Sequence, residues 1–308
     1  MRVPPFLFMA AKNLDYEIVQ LRNGTCSVRS LADAETFHPG IGPVAEAEAL
    51  YVRQLELPER VAESNDEFVI WDVGLGAAAN ALTAIRLIHE HLANLQTTDE
   101  QNPFTKSLRI ISFDQTSAAA AFALQHGPEL SYPIGFETLL RDLIQTRRAV
   151  ANNSTLKLEW TLNLGDFPSR LANDAAPDLP APHAILFDPH SPKKNPAMWT
   201  VQLFSNLIRR LDPDQPCSLA NFTRSTLART AMLLGGFYVG RGHASGLKEE
   251  TTVAANRIEL LSEPLDRAWL ETVKRSGSAE PLRDAQYQQS PLSDETWELL
   301  QRHPQFAN

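Results

Sequence analysis

Cysteine is nearly absent: Cys26 and Cys217 are the only two among 308 residues. They lie far apart, show no CxxC spacing and have no His-rich neighbourhood, so neither a disulfide framework nor a metal site is expected. Cys217 opens an apolar run, where a thiol acts as a small hydrophobe. Long apolar stretches are lacking too. None approaches the roughly 20 residues needed to span a bilayer. Met1–Lys12 is too short, too proline-broken and too poor in basic residues for a signal peptide. No membrane partner and a cytoplasmic location are therefore expected. Positive charge is also in short supply. The formal net charge of -9 argues against non-specific nucleic-acid binding, which relies on many Lys and Arg to neutralise phosphates. Between His190 and Glu250, however, eight basic residues face four acidic ones. A solvated helical face produces the same bias.

What is present is a recurring alternation of apolar runs and helical segments, the pattern of a parallel sheet with crossover helices. Seven strands are expected, at Phe68–Val73, Leu108–Phe113, Leu158–Leu164, Ala184–Phe187, Ser218–Phe222, Phe237–Val239 and Thr251–Ala255. Helices are expected at Ala78–Leu95, Ser117–Gln125, Phe136–Thr146, Pro196–Arg210 and Ser225–Leu234. The link from Val239 to Thr251 carries Gly240, Gly242 and Gly246 and is too short for a parallel crossover, so the last two strands should form an antiparallel hairpin. The expectation is an α/β fold: a class I methyltransferase, Rossmann-like sheet of seven strands, by analogy of architecture. Residues 1–67 read as an accessory segment, with strands near Tyr16–Arg22 and Cys26–Arg29 and a helix Val44–Leu55. Residues 68–257 read as the catalytic domain. Residues 258–308 read as a helix, Leu265–Lys274, followed from Ser276 by a loosely attached tail.

The first strong strand runs into Asp72-Val73-Gly74-Leu75-Gly76-Ala77-Ala78-Ala79-Asn80, the nucleotide-binding position of such a sheet. Gly74 and Gly76 permit a tight turn and a close backbone approach by a ligand. The third glycine of a dinucleotide fingerprint is missing. S-adenosylmethionine has no pyrophosphate and tolerates that loss better than NAD does. Asp72 can bind the cofactor's ammonium group or order water beside it. Asp114 with Gln115 ends the second strand, where a carboxylate suits the ribose diol. Asp166 ends the third and can accept from the adenine amine, while Phe167 covers the ring. Asp188 closes the fourth, beyond the carboxyl ends where open sheets bind ligands. Each acid alone could be a helix cap, and an Ala-rich helix start would also account for the glycine turn.

At Asp188-Pro189-His190-Ser191-Pro192-Lys193-Lys194-Asn195-Pro196, followed by Met198-Trp199-Thr200, the chain resembles the D-x-F-[AS]-P-x-K-N-P-x-x-W-T signature of the tRNA wobble-uridine methyltransferases, the MnmD group and the amino-terminal domain of bifunctional MnmC. Further similarity lies in Asp72-x-Gly74-x-Gly76 with Asn80, in Gly165-Asp166, in Ala220-x-Phe222-Thr223, in Gly235-Gly236-Phe237 and in Gly246-Leu247-Lys248-Glu249-Glu250-Thr251-Thr252. His38-Pro39-Gly40-x-Gly42-Pro43, with Glu46 and Glu48, resembles more weakly the family's His-Ser-x-x-Gly motif.

The resemblance implies methyl transfer from S-adenosylmethionine to the exocyclic amine of 5-aminomethyluridine, often 2-thiolated, at the anticodon wobble position. Asp188 would orient the amine and help accept its proton. Lys193 and Lys194 would bind phosphates of the anticodon arm, and Asn195 would hold the loop. Trp199 would stack on a base or anchor the following helix, and Lys248 with Glu249 would clamp substrate.

Three residues depart from the family pattern: Ala78 for glycine, Pro39 for serine, and His190 for phenylalanine. His190 could assist proton removal or simply pack. After Asn256 no strand–GxGxxG–helix unit appears, so no FAD is expected, and the acceptor amine should come from a separate oxidase or aminomethyl-forming enzyme. A methyltransferase of a small molecule or protein, or a catalytically idle homologue that binds cofactor or tRNA, are the alternatives.

Overall fold

The computed structural model describes residues 15–98, 104–173, 179–244 and 249–307. A small antiparallel sheet comes first: β1 (Tyr16–Gln20), β2 (Cys26–Ser30) and the two-residue β3 (Glu35–Thr36). Pro43–Ala47 then forms a helical turn that widens into a π-helical stretch, Glu48–Arg53. A further helix follows at Leu57–Glu63, where Pro58 sits in the first turn and needs no N–H partner. Tyr51 and Val28 from this region belong to the same apolar cluster as the central sheet. The accessory segment is therefore a wall of the domain.

The large sheet has eight strands: β4 (Phe68–Val73), β5 (Lys106–Asp114), β6 (Arg148–Asn152), β7 (Leu156–Leu164), β8 (Ala184–Phe187), β9 (Ser218–Asn221), β10 (Tyr238–Gly242) and β11 (Thr251–Ala255). Their order is β10-β11-β9-β8-β4-β5-β7-β6. The pairs β9–β8, β8–β4, β4–β5 and β5–β7 are parallel, while β11 runs antiparallel to both β10 and β9. The expected class I Rossmann-like methyltransferase arrangement is present with its final hairpin. The count of seven strands is corrected to eight. The added strand, β6, pairs antiparallel with β7 at the edge.

All six residues of β4 are buried, as parallel strands covered on both faces must be. One cluster gathers Ile70, Leu82, Ile88, Leu140 and Trp160 on one face. The other gathers Trp71, Phe187, Trp199, Phe204, Met232 and Trp269 on the opposite face. In the helix Ala79–Thr98, Leu82, Ile85, Ile88 and Leu92 recur at three- and four-residue spacing and face the sheet. No helix among the described residues is long and apolar enough to cross a membrane.

Two further expectations are corrected. The helix expected over Pro196–Arg210 is a 3-10 turn, Pro196–Trp199, and then an α-helix, Val201–Ile208. The break falls at Thr200, whose extended backbone caps the second helix by accepting from Leu203 N at 3.0 Å. The segment after Ser276 is not loosely attached. Ala279, Leu282, Leu300 and Phe306 are each at most 4 % exposed, within the second apolar cluster. A helix, Asp294–Gln301, is capped by Ser293. Gln305 then pairs both backbone groups of Val239, at 2.8 and 2.7 Å.

Candidate active site

The sheet reverses its winding between β4 and β8: one half of the chain order runs outward through β5 and β7, the other through β9. Ligands bind at such a switch point, beyond the carboxyl ends of the strands. Here the two strand exits touch. Asp188 N donates to Val73 O at 2.8 Å, and Gly74, with φ 97°, passes so close that a Cβ there would lie 2.5 Å from the Asp188 carbonyl oxygen. Glycine is required by both conformation and space. Gly76, at φ 50°, keeps the turn open. Ala78 takes φ 66° without glycine's freedom, a conformation that costs an L-residue about 1 kcal/mol or more.

A cavity of about 750 Å³ opens above these loops, within the size range of small-molecule sites. Gly74, Gly76, Asn80, Asp114, Gln115, Asp166, Phe167, Asp188, His190, Lys194 and Asn195 line it. Asp33, Glu35, Phe37, His38 and Glu46 close its other side. The wall thus holds six carboxylates against one lysine and two histidines.

Asp188 sits at the floor. Its Oδ2 accepts from Asn80 Nδ2 at 2.7 Å and lies 3.4 Å from His38 Nε2. His38 Nε2 is also 2.9 Å from Asn80 Oδ1. Burial works against a charged His38 ring, yet Asp188, Glu46 and the Asn80 carboxamide together raise its pKa above the ordinary value. Tyr51 is fully buried, and burial, followed by the adjacent Asp188 carboxylate, pushes its hydroxyl well above the usual range.

Asp114 accepts from Gly76 N at 2.9 Å through one oxygen and from Thr116 N at 3.2 Å through the other, fixing its carboxylate beside the turn. Burial raises its pKa, with the backbone donors opposing that shift. Asp166 caps the helix Phe167–Ala172 by accepting from Ser169 N at 2.9 Å, and it still borders the cavity. Phe167 packs on Phe113, ring centroids 4.9 Å apart.

Not every expected residue joins the site. Asp72 lies one residue inside the strand end, fully buried and outside the cavity lining. Its Oδ2 accepts from Ser112 Oγ at 2.6 Å, and Ser112 Oγ accepts from Trp160 Nε1 at 2.8 Å. Burial pushes its pKa up to about 7. Its other oxygen, Oδ1, is buried with no hydrogen-bond partner among the described residues. Trp199 is fully buried between Phe187 and Phe222 and donates to His190 O at 2.9 Å. It anchors the loop and has no face for a base. Lys193 is exposed but does not line the cavity, and Glu249 is likewise exposed and outside it. Lys248 lies outside the described residues.

His190 does not reach toward an amine. Its Nδ1 is 2.9 Å from Glu35 Oε2 and its Nε2 3.4 Å from Asp33 Oδ2, while Ser191 Oγ donates to Glu35 Oε1 at 2.8 Å. The departure from phenylalanine thus creates a polar clamp between the β8 loop and the amino-terminal sheet. Sequence reasoning missed Asp33, Glu35 and Tyr51, and it noted His38 only as part of a weak motif. The His38-Pro39-Gly40 run, which begins two residues after the short β3, was the available signal.

Residues 137–257 match the model of a family described as S-adenosyl-L-methionine-dependent methyltransferase. A relative from Pseudoalteromonas atlantica, the tRNA 5-methylaminomethyl-2-thiouridine biosynthesis bifunctional protein MnmC, is 27% identical over 67% of this chain and 29% of its own length. The protein of the same name from Aeromonas hydrophila is 28% identical over 70% of this chain and 32% of its own length. The chain therefore spans about a third of the length of these relatives. The solved MNMC2 structure from Aquifex aeolicus superimposes with a TM-score of 0.62 at 22% identity, covering 92% of this chain and 82% of that one. This likeness is one of fold. The site's donor set fits a cationic nucleoside cofactor: carboxylates at Asp114 and Asp166 for hydroxyl and amine donors, an aromatic side chain at Phe167, and an acidic wall for positive charge.

Proposed function

Because residues 137–257 match a family of S-adenosylmethionine-dependent methyltransferases and the chain is similar to MnmC proteins, we propose that it methylates the exocyclic amine of 5-aminomethyluridine, 2-thiolated or not, at the wobble position of tRNA. The observation that carries this reading is that Asp188 lines the cavity at the switch point, its carboxylate accepting from Asn80 at 2.7 Å with His38 3.4 Å away. S-adenosylmethionine would supply the methyl group. Gly74, Gly76, Asp114, Gln115, Asp166 and Phe167 would hold it.

An ammonium has no lone pair with which to attack, so the amine must be oriented and relieved of a proton. Asp188 would do both. Exposed Lys193 and Lys194 at the rim would meet phosphates of the anticodon arm. Lys248 and Glu249 would close over the bound strand, and Asn195 would hold the loop that carries the lysines. A separate oxidase or aminomethyl-forming enzyme would supply the acceptor amine.

The test is transfer of labelled methyl from S-adenosylmethionine to bulk tRNA from cells lacking this gene, followed by nucleoside analysis. Label is expected in methylaminomethyl uridine; label on any other nucleoside sinks the reading. The six-carboxylate wall also suits a small cationic amine. Parallel incubation with tRNA-free metabolite extract distinguishes that second reading, which requires label in a small molecule and none in tRNA.

A further inference from the structure

A single ring nitrogen, His38 Nε2, faces two oxygens: Asn80 Oδ1 at 2.9 Å and Asp188 Oδ2 at 3.4 Å. The Asn80 carboxamide cannot be turned round, since its Nδ2 donates to Asp188 Oδ2 at 2.7 Å and the flipped amide would set oxygen against carboxylate. Nε2 must therefore carry the proton, whatever the charge of the ring. The other nitrogen, Nδ1, is buried with no hydrogen-bond partner. The backbone at His38 is left-handed, φ 50°, which is rare for a residue with a side chain. The turn that follows is braced by Glu46, whose Oε1 accepts from Gly40 N at 2.6 Å and Ile41 N at 3.1 Å. A strained backbone held by a buried acid, aiming one ring at the cavity floor, points to a role for that ring.

We propose that His38 is a positioning residue for Asp188: its Nε2–H holds Asn80 Oδ1, which fixes the carboxamide so that Asn80 Nδ2–H occupies one carboxylate oxygen, while the ring lies 3.4 Å from that oxygen, and the other oxygen is left to the acceptor amine. The assignment rests on the reading of Asp188 as the carboxylate that orients the amine.

Two measurements test it. In cofactor-free protein, NMR titration of the His38 ring should give a midpoint above the ordinary imidazole value, falling in Asp188→Asn as the opposite charge is lost. With cofactor and tRNA, His38→Ala should lower kcat about 100-fold while the KM for tRNA and the calorimetric Kd for S-adenosylmethionine change by less than about threefold. His38→Gln, which can still present an N–H, should recover about tenfold of that loss. A His38→Ala protein with unchanged kcat, or a His38 midpoint indifferent to Asp188→Asn, overturns the assignment. If thermal unfolding shows that His38→Ala does not fold, the Gln variant and the titration decide. Failure of the unsubstituted protein to methylate tRNA would refute the substrate reading, and the titration would still decide whether His38 and Asp188 are coupled.

Discussion

Asn80 and Asp188, 108 residues apart in sequence, meet at 2.7 Å across the switch point of the sheet. Asn80 belongs to the helix that follows the glycine turn, and Asp188 to the loop after β8. With His38 on its other side, this buried carboxamide joins three separate stretches of chain. A defect in any of them reaches the carboxylate on the cavity floor.

Asp188→Asn keeps the shape of the side chain and removes its ability to accept a proton. Methyl transfer should fall about 10²- to 10⁴-fold, with the calorimetric affinity for S-adenosylmethionine nearly unchanged. Parallel loss of cofactor binding would make Asp188 a cofactor ligand instead.

Asp72 makes stability depend on pH. Its pKa rises from 3.8 to about 7 on folding, first through burial. Between those values the folded chain holds a proton that the unfolded chain has released, so stability declines as pH rises from about 4 to about 7 and is level beyond. Asp72→Asn lacks this component. At pH 8 the variant should be the more stable by roughly 2–4 kcal/mol, with the difference vanishing near pH 4. Denaturant unfolding at both pH values checks it, and a less stable variant at pH 8 would show that the carboxylate is ionised and stabilised in place.

Gly74→Ala places a methyl group 2.5 Å from a backbone oxygen of Asp188, at φ 97°. Neither obstacle can be relieved by a rotamer change. The β8 loop must move, and turnover should fall at least about tenfold, with stability lower by about 2 kcal/mol or more. Unchanged kcat and melting temperature would show that the two strand exits are more pliant than their contact suggests.

Truncation after Ser276 removes Ala279, Leu282, Leu300 and Phe306 from the second apolar cluster and leaves both backbone groups of Val239 without Gln305. Each large apolar side chain lost costs about 1.5–3 kcal/mol, against a total stability of about 5–15 kcal/mol. The truncated protein should lose its cooperative thermal transition. Retention of a sharp transition near the full-length temperature would mean that the domain's core closes without these residues.

The strands of the sheet were legible because their apolar runs are short, bounded and spaced by helical periods. The edge strand β6 was not: in Arg148–Asn152 only Ala149 is buried, so no alternation marks it. The carboxyl-terminal segment hid its few buried anchors among Ser, Pro and Gln, and sparse anchors leave no period to read. Among the acids, position at a strand end was visible, but the face each one presents was not. Asp72 and Asp188 differ by one strand and by whether the side chain precedes or follows the last ladder bond. His38 was obscured for another reason. Its partners are 42 and 150 residues away, and its left-handed backbone is a tertiary property.

The acidic wall has a consequence for how a nucleic acid could use this cavity. Six carboxylates repel phosphate as strongly as they attract an amine, so a polynucleotide cannot descend into it. Only a base swung out of its stack, carrying its charge at the tip, could reach Asp188 while the backbone stayed outside among the lysines.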